Sequence, residues 1–341
     1  MKFTSVFRPK KSTLRAVAKL TATALTLGWK AMRAPPAPTN GAGRIVEIAE
    51  FGSNPGALRM HVFAPARPLP RGAPLIVVLH GCGQQAAAFA TDAGWRALAE
   101  NIGAALLLPE QTASNNPGRC FNWFRPGDTR RGSGEAMSIR QMVRAAVDRF
   151  GSDRKRVFIV GLSAGGAMAV AMLAAYPAVF AAGAVVAGMP VGAADSQLQA
   201  LRRMHRAGAF RGRPALAASV RAASPARGKA SWPRLSIWQG GRDRTIDPAN
   251  ADVLAAQWTA LHGIDAISGS EITVAPGIIR RRWGKATGPA VELWTIADMG
   301  HGFPVDRGAI GGGHEGVNVI DAGVAGAVAI AQFWGISFTR L

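Results

Sequence analysis

From Arg44 onward the chain alternates short apolar, β-branched runs with longer stretches of helical periodicity. The runs Arg44–Glu50, Leu58–Ala64, Leu75–Leu79, Ala104–Pro109, Val157–Val160, Ala182–Ala187, Leu235–Gln239 and Val291–Ile296 predict strands. Phe89–Ile102, Glu135–Phe150, Ala164–Tyr176, Pro248–His262 and Ala322–Trp334 predict helices. The first two strands read as a hairpin. The others alternate with helices, which implies a doubly wound, mostly parallel α/β sheet covered on both faces. Residues 189–233 break the rhythm: they are basic, rich in Ala, Arg and Pro, and carry no clear strand. They fit an inserted cap segment, with a solvated or disordered excursion as the alternative. The organisation is thus a basic segment over residues 1–40, ending in the linker-like Ala34-Pro35-Pro36-Ala37-Pro38, and one catalytic-size domain over 41–341.

Two turns in this pattern carry chemistry. Arg156–Val160 runs into Gly161-Leu162-Ser163-Ala164-Gly165, and a small-residue helix follows. Strand, G-x-S-x-G, helix is the setting in which a serine sits on a tight turn with its Oγ pushed toward substrate. The free N–H groups of the following helix then face the place where negative charge develops. Upstream, Pro74–Leu79 runs into His80-Gly81-Cys82-Gly83, an apolar strand ending in His-Gly-x-Gly. That turn suits the second half of an oxyanion hole, so the N–H groups of Ala164 and of a residue near Cys82 are the candidate donors. The two motifs in this order point to a serine hydrolase. The bland reading, two glycine-rich turns and a surface serine, requires both to coincide.

In such folds an acid and then a histidine follow the serine along the chain. Asp243 lies in the turn after Leu235–Gln239. Asp247 precedes Pro248 and reads as a helix cap, and Asp252 reads as a solvent-facing helix position. His301 lies between Gly300 and Gly302 in the loop after the last strand. His314, in a glycine-rich loop, is its rival. His262 ends a helix, His61 alternates outward on an early strand, and His205 belongs to the basic insertion. His80 fits the holding of its own loop better than the role of base.

Charge changes the picture little. The 341 residues contain 40 Lys and Arg against 20 Asp and Glu, a net charge of +20. The excess gathers in the first 33 residues and in 202–234, neither of which holds an acid. A basic surface attracts anions unspecifically and in a salt-sensitive way. The aromatic interleaving and fold signatures of nucleic-acid modules are absent, so no nucleic-acid partner is expected. No charge-free apolar run is long enough for an integral membrane segment. Scattered His and acidic residues lack ligand spacing, so neither a metal nor a cofactor is implied. Thr21–Trp29 is mildly apolar, but Lys19 interrupts the stretch an export signal would need, and a basic amphipathic tail competes with that reading. Spacing alone leaves Cys82 and Cys120 open between a disulfide and two reduced thiols.

The strings Leu79-His80-Gly81-Cys82-Gly83-Gln84, Cys120-Phe121-Asn122-Trp123-Phe124, Arg131-Gly132-Ser133-Gly134-Glu135 and Gly161-Leu162-Ser163-Ala164-Gly165-Gly166-Ala167-Met168 resemble the polyhydroxybutyrate depolymerase family of esterases. The likeness continues through Tyr176-Pro177-Ala178-Val179-Phe180-Ala181, Ile237–Asp243 and Phe333-Trp334-Gly335, covering about residues 45–338 in matching order. It implies an α/β-hydrolase fold with Ser163, Asp243 and His301 as the triad, a Cys82–Cys120 disulfide, and an extracellular or periplasmic enzyme. The poor export signal leaves a cytoplasmic location as the alternative. The Thr-rich or fibronectin-like linker and C-terminal substrate-binding domain of many extracellular depolymerases are not recognisable, which bears on adsorption to solid polymer and not on ester chemistry. The expected partner is an ester substrate: a short-chain hydroxyalkanoate polyester or its oligomers. Feruloyl or acetylxylan esterase activity on plant cell-wall esters is the alternative, and a non-catalytic binding protein on the same fold the distant one.

Overall fold

The computed structural model describes residues 43–208, 212–224, 232–265, 267–309 and 311–336. The basic segment 1–40 and parts of the insertion, 209–211 and 225–231, lie outside these residues. One ten-stranded sheet forms the centre. In chain order its strands are β1 (Val46–Ile48), β2 (Arg59–Phe63), β3 (Leu75–Leu79), β4 (Ala105–Glu110), β5 (Val157–Leu162), β6 (Ala182–Val186), β7 (Arg234–Gly240), β8 (Ser270–Ala275), β9 (Ile278–Lys285) and β10 (Gly288–Ile296). Across the sheet they run β1-β2-β4-β3-β5-β6-β7-β10-β9-β8. From β4 to β10 the pairings are parallel, in the spatial sequence β4-β3-β5-β6-β7-β10. The flanking pairs are antiparallel at both ends. This is the doubly wound α/β sheet that the alternating pattern implies.

The central strands are buried at every position, which is why they read as unbroken apolar runs. Alternate residues feed two cores. Ile159 joins the face covered by α4 (Gly134–Phe150), α5 (Ala164–Ala175) and α8 (Ala249–Leu261). Phe158 and Val160 join the opposite face, covered by α1 (Ala86–Asp92), α2 (Trp95–Ile102) and α9 (Gly326–Phe333). Helix α5 is buried along its whole length, and it has no polar stripe because its residues are small and apolar all round. A short helix, α3 (Pro126–Thr129), precedes α4, and a two-stranded parallel ladder, β11 (Phe303–Val305) with β12 (Val319–Asp321), lies outside the main sheet.

Three local departures from the sequence pattern have physical causes. The helix expected over Phe89–Ile102 is split into α1 and α2 by Gly94, which adopts φ +81° and sits 2.7 Å, by its missing Cβ, from the Gly311 carbonyl. The last helix begins at Gly326 instead of Ala322. The β8–β9 hairpin has no counterpart in the sequence reading, because Arg280-Arg281-Arg282 interrupts its apolar alternation. Those arginines are nonetheless strand residues, Arg282 paired to the buried Glu292 and Arg280 stacked over Trp294. In the insertion, α6 (Gln197–His205) and α7 (Arg213–Ala223) are helical. Ala217 and Val220 of α7 join the main core, while α6 buries only Ala200.

Candidate active site

Ser163 joins the end of β5 to the start of α5 with φ 56° and ψ −118°, backbone that L-residues rarely adopt. Its N–H donates to Val186 O at 2.8 Å and its carbonyl accepts the Ala167 N–H at 2.9 Å, so the turn is held at both ends. The flanking glycines are steric requirements. A Cβ on Gly161 would collide with the Gly165 carbonyl, and a Cβ on Gly165 would lie 2.5 Å from Leu79 O and collide with His80 O as well. Backbone cannot yield as a flexible side chain can. Gly165→Ala is therefore expected to cost about 3 kcal/mol or more, read as a fall in the urea midpoint. An unchanged midpoint would remove the close approach of β3 and α5 as the reason for that glycine.

Ser163 is 8% exposed, and its hydroxyl makes no hydrogen bond among the described residues. Such free-state looseness is common where the catalytic hydrogen bond tightens only on substrate binding. As the first residue of α5, Ala164 has an N–H with no intrahelical acceptor. The Cys82 N–H likewise has no acceptor among the described residues.

The other two candidates lie two and three strands away, at the same carboxyl edge. Asp243 follows β7 and His301 follows β10, and β10 is paired in parallel with β7. His301 Nδ1 meets Asp243 Oδ2 at 2.8 Å. The same oxygen accepts Gln239 Nε2 at 3.1 Å, while Oδ1 accepts the Thr245 and Ile246 N–H groups at 2.8 and 2.9 Å. Burial pushes the Asp243 carboxyl up, but the hydrogen bonds from His301, Ile246 and Thr245 outweigh it and hold its pKa below the ordinary value. The loops can approach because Gly240 has no side chain: a Cβ there would collide with the Met299 and Gly300 carbonyls.

The rival residues are engaged elsewhere. Asp247 Oδ1 accepts the Ala249 N–H in the first turn of α8, and its Oδ2 accepts the Ala207 N–H. Asp252 is exposed and paired with Arg281. His314 Nε2 lies 2.9 Å from Asp92 Oδ1, far along the chain from Asp243. His262 Nε2 contacts Pro233 O at 3.3 Å. His80 is fully buried. Its Nε2 accepts the Gln111 N–H at 3.1 Å, which leaves the proton on Nδ1, donated to Gly81 O at 2.7 Å. Burial lowers its pKa, so the ring stays neutral and braces its own loop.

Cys82 and Cys120 form a disulfide across 38 positions. It ties the Gly81–Gln84 loop to the segment Gln111–Trp123, assisted by the bonds Gly83 N–H to Gly118 O and Arg119 Nη2 to Gly83 O, both 3.0 Å. In the loop-entropy account a bridge of this span contributes roughly 3–4 kcal/mol. Reduction is expected to lower the urea midpoint accordingly and to lower kcat with it, since one end carries a candidate oxyanion donor. Full activity in reduced, still-folded protein would detach the bridge from the site.

Several polar residues around these candidates were not legible in the sequence. Gln239 sits at the end of β7, one position before the glycines that open the turn. Gln111, Asn122 and Glu135 form a buried polar group beside the disulfide. Burial pushes the Glu135 pKa up to about 8, with the Asn122 and Gln111 N–H donors pulling the other way. Ala167, Met189 and Ile246 form a small apolar cluster, with Trp123, Ala193 and Met204 packed against it. Ala167 lies one turn past Ser163 and Ile246 three residues past Asp243. Met204 comes from α6 of the insertion, which is pinned there by Asp247 N–H to Met204 O at 2.7 Å and by Asn250 Nδ2 to Arg203 O at 3.1 Å.

The Esterase PHB depolymerase family model matches residues 60–275. The chain is 40% identical to poly(3-hydroxyalkanoate) depolymerase C of Paucimonas lemoignei over 295 residues, 86% of this chain and 70% of the relative. It is 29% identical to feruloyl esterase B of Talaromyces stipitatus over 79% of this chain and 75% of the relative. It is 30% identical to an acetylxylan esterase of Coprinopsis cinerea over 79% and 72%. Among solved structures, an acetyl xylan esterase from Aspergillus awamori superposes with a TM-score of 0.73 at 22% identity, covering 86% of this chain and all of that one, a likeness of fold. Family match, extended identity and fold agree, and the chain belongs to the Esterase PHB depolymerase family of carboxylic-ester hydrolases.

Proposed function

We propose that this protein hydrolyses short-chain 3-hydroxyalkanoate esters, polyester or oligomer, through an acyl-enzyme on Ser163. The observation that carries the reading is the His301–Asp243 pair, which follows strands of the same parallel sheet as the strained Ser163 turn, at the same carboxyl edge. His301 takes the Ser163 proton while Asp243 fixes the ring tautomer and stabilises the imidazolium. Serine Oγ attacks the ester carbonyl, and the oxyanion is held by the Ala164 and Cys82 N–H groups. His301 returns the proton to the leaving alcohol. Water, activated by the same ring, then releases the acid.

The apolar walls at Ala167, Met189, Ile246 and Met204 carry no charge, which suits an aliphatic acyl group. Because Met204 belongs to the 189–233 insertion, that segment acts as a partial cap whose contacts tune substrate choice. The disulfide supports an oxidising compartment, extracellular or periplasmic. No helix among the described residues is long and apolar enough to cross a membrane.

The discriminating experiment compares kcat/KM on 3-hydroxybutyrate oligomers, methyl ferulate and acetylated xylan, with fluorophosphonate labelling of Ser163 alongside. Preference for the oligomers is expected. Preference for ferulate or acetylxylan would move the protein to the cell-wall esterases of the family, and failure of Ser163 to label would end the serine-esterase mechanism.

A further inference from the structure

A buried polar group outside the proposed triad is centred on Glu135. This residue, in the first turn of α4, has no exposed surface. No cation pairs with it among the described residues; four N–H donors surround it instead. Oε1 accepts Gln111 Nε2 at 2.6 Å, Asn122 Nδ2 at 2.8 Å and Asn115 Nδ2 at 3.1 Å, and Oε2 accepts the Asn122 backbone N–H at 2.9 Å. The three donor residues all belong to the stretch between β4 and α3, which has no regular structure of its own. Glu135 is therefore the hub on which that loop is folded.

The loop passes the constraint on. The Gln111 N–H donates to His80 Nε2, and Gln111 Nε2 also donates to Cys120 O at 3.1 Å. Asn122 Oδ1 accepts Asn116 Nδ2 at 2.9 Å, and Asn116 Oδ1 accepts the Gly118 N–H at 2.9 Å. Gly118, Arg119 and Cys120 are the residues that grip Gly83 and Cys82. The residues that tie this loop to the Gly81–Gln84 turn are thus linked, through Gln111, Asn116 and Asn122, to one buried carboxyl group.

We infer that Glu135 is a positioning residue for ester hydrolysis: through Gln111, Asn122 and the Cys82–Cys120 bridge it sets where the Cys82 N–H stands relative to Ala164. The inference rests on the proposed oxyanion role of those two N–H groups. An oxyanion donor that shifts by a fraction of an ångström loses affinity for the transition state while leaving ground-state binding almost intact.

Glu135→Gln tests it, because glutamine keeps the shape and replaces one acceptor oxygen by an NH2 group. In place of Oε2 that group would face the Asn122 backbone N–H, which cannot invert; in place of Oε1 it would face three donors. Assays belong at pH 9, above the raised pKa of the wild-type carboxyl. For the folded fraction, we expect kcat on a neutral soluble ester to fall about 10–100-fold with KM within about twofold. The fluorophosphonate labelling rate of Ser163 should fall in step, since the phosphonyl oxygen uses the same hole. Glu135→Asp should recover part of the loss. An unchanged kcat in folded Glu135→Gln protein, or a rise in KM alone, would overturn the inference.

If Glu135→Gln fails to fold, Asn115→Ala carries the test. It removes one donor to Oε1 from a half-buried position, with an expected drop in kcat of about threefold and unchanged KM; no drop would overturn the inference. Failure of the wild type to label at Ser163 would instead indict the underlying reading of the site.

Discussion

Ser163→Ala is expected to reduce kcat by about 10⁵–10⁶-fold while leaving stability within about 0.5 kcal/mol of the parent. Both halves of that expectation come from the turn. The backbone strain at φ 56° belongs to the position, and alanine carries the same Cβ as serine, so the substitution adds no steric cost. The hydroxyl makes no hydrogen bond among the described residues, so its removal orphans no buried partner. What disappears is the proposed nucleophile. The measurement is a pair: hydrolysis of a soluble ester, and a urea denaturation midpoint. Residual hydrolysis near the parent rate would mean that the strained turn serves packing and that the nucleophile lies elsewhere. Lost activity together with lost stability would show that the hydroxyl holds the turn, and the assignment would then need the labelling experiment to survive.

The sequence was most legible where local steric demands leave few alternatives. The G-x-S-x-G turn can be read because Gly161 and Gly165 tolerate no Cβ, the one approaching the start of α5 and the other the end of β3. The parallel strands can be read because burial on both faces forces unbroken apolar runs. The pairing of Asp243 with His301 can be anticipated from their places after strand ends, since a parallel sheet gathers those ends on one edge. What was not legible depends on contacts distant in sequence. Nothing near Glu135 announces that it will be buried, because its donors come from residues 111–122. Nothing near Gln239 announces that its amide will share an oxygen with His301. The β8–β9 hairpin was hidden for the opposite reason. Arg280, Arg281 and Arg282 look like a solvated charge run, yet Trp294, Asp252 and Glu292 each take one of them. Disulfide pairing was beyond spacing alone; it became an expectation only through resemblance.

Asp243→Asn is expected to lower kcat by about 10⁴-fold, equivalent to about 5.5 kcal/mol of transition-state stabilisation, while Asp247→Asn changes it by no more than a few fold. The hydrogen bonds around Asp243 explain the size of the first effect. The Thr245 and Ile246 N–H groups require an acceptor at the Oδ1 position. An asparagine must therefore turn its carbonyl toward them and its NH2 toward His301 and Gln239. Facing a donor, the His301 ring must present a lone pair at Nδ1 and carry its proton on Nε2, the tautomer that cannot accept the proton of Ser163. Geometry survives while the protonation state is wrong. Asp247 holds a different job: its oxygens accept the Ala249 and Ala207 N–H groups, fixing the start of α8 and the end of α6. Asparagine keeps one acceptor oxygen and turns its NH2 toward the other N–H, which should cost about 1 kcal/mol of stability, with any kinetic effect appearing in KM, because α6 carries Met204 against the Ala167–Met189–Ile246 cluster. Steady-state kinetics of the two variants on one soluble ester, with folding checked by circular dichroism, decide the matter. Should Asp247→Asn prove the more damaging in kcat, or Asp243→Asn retain more than a tenth of the parent rate, the buried Asp243–His301 pair would be structural and the acid of the site would have to be sought again.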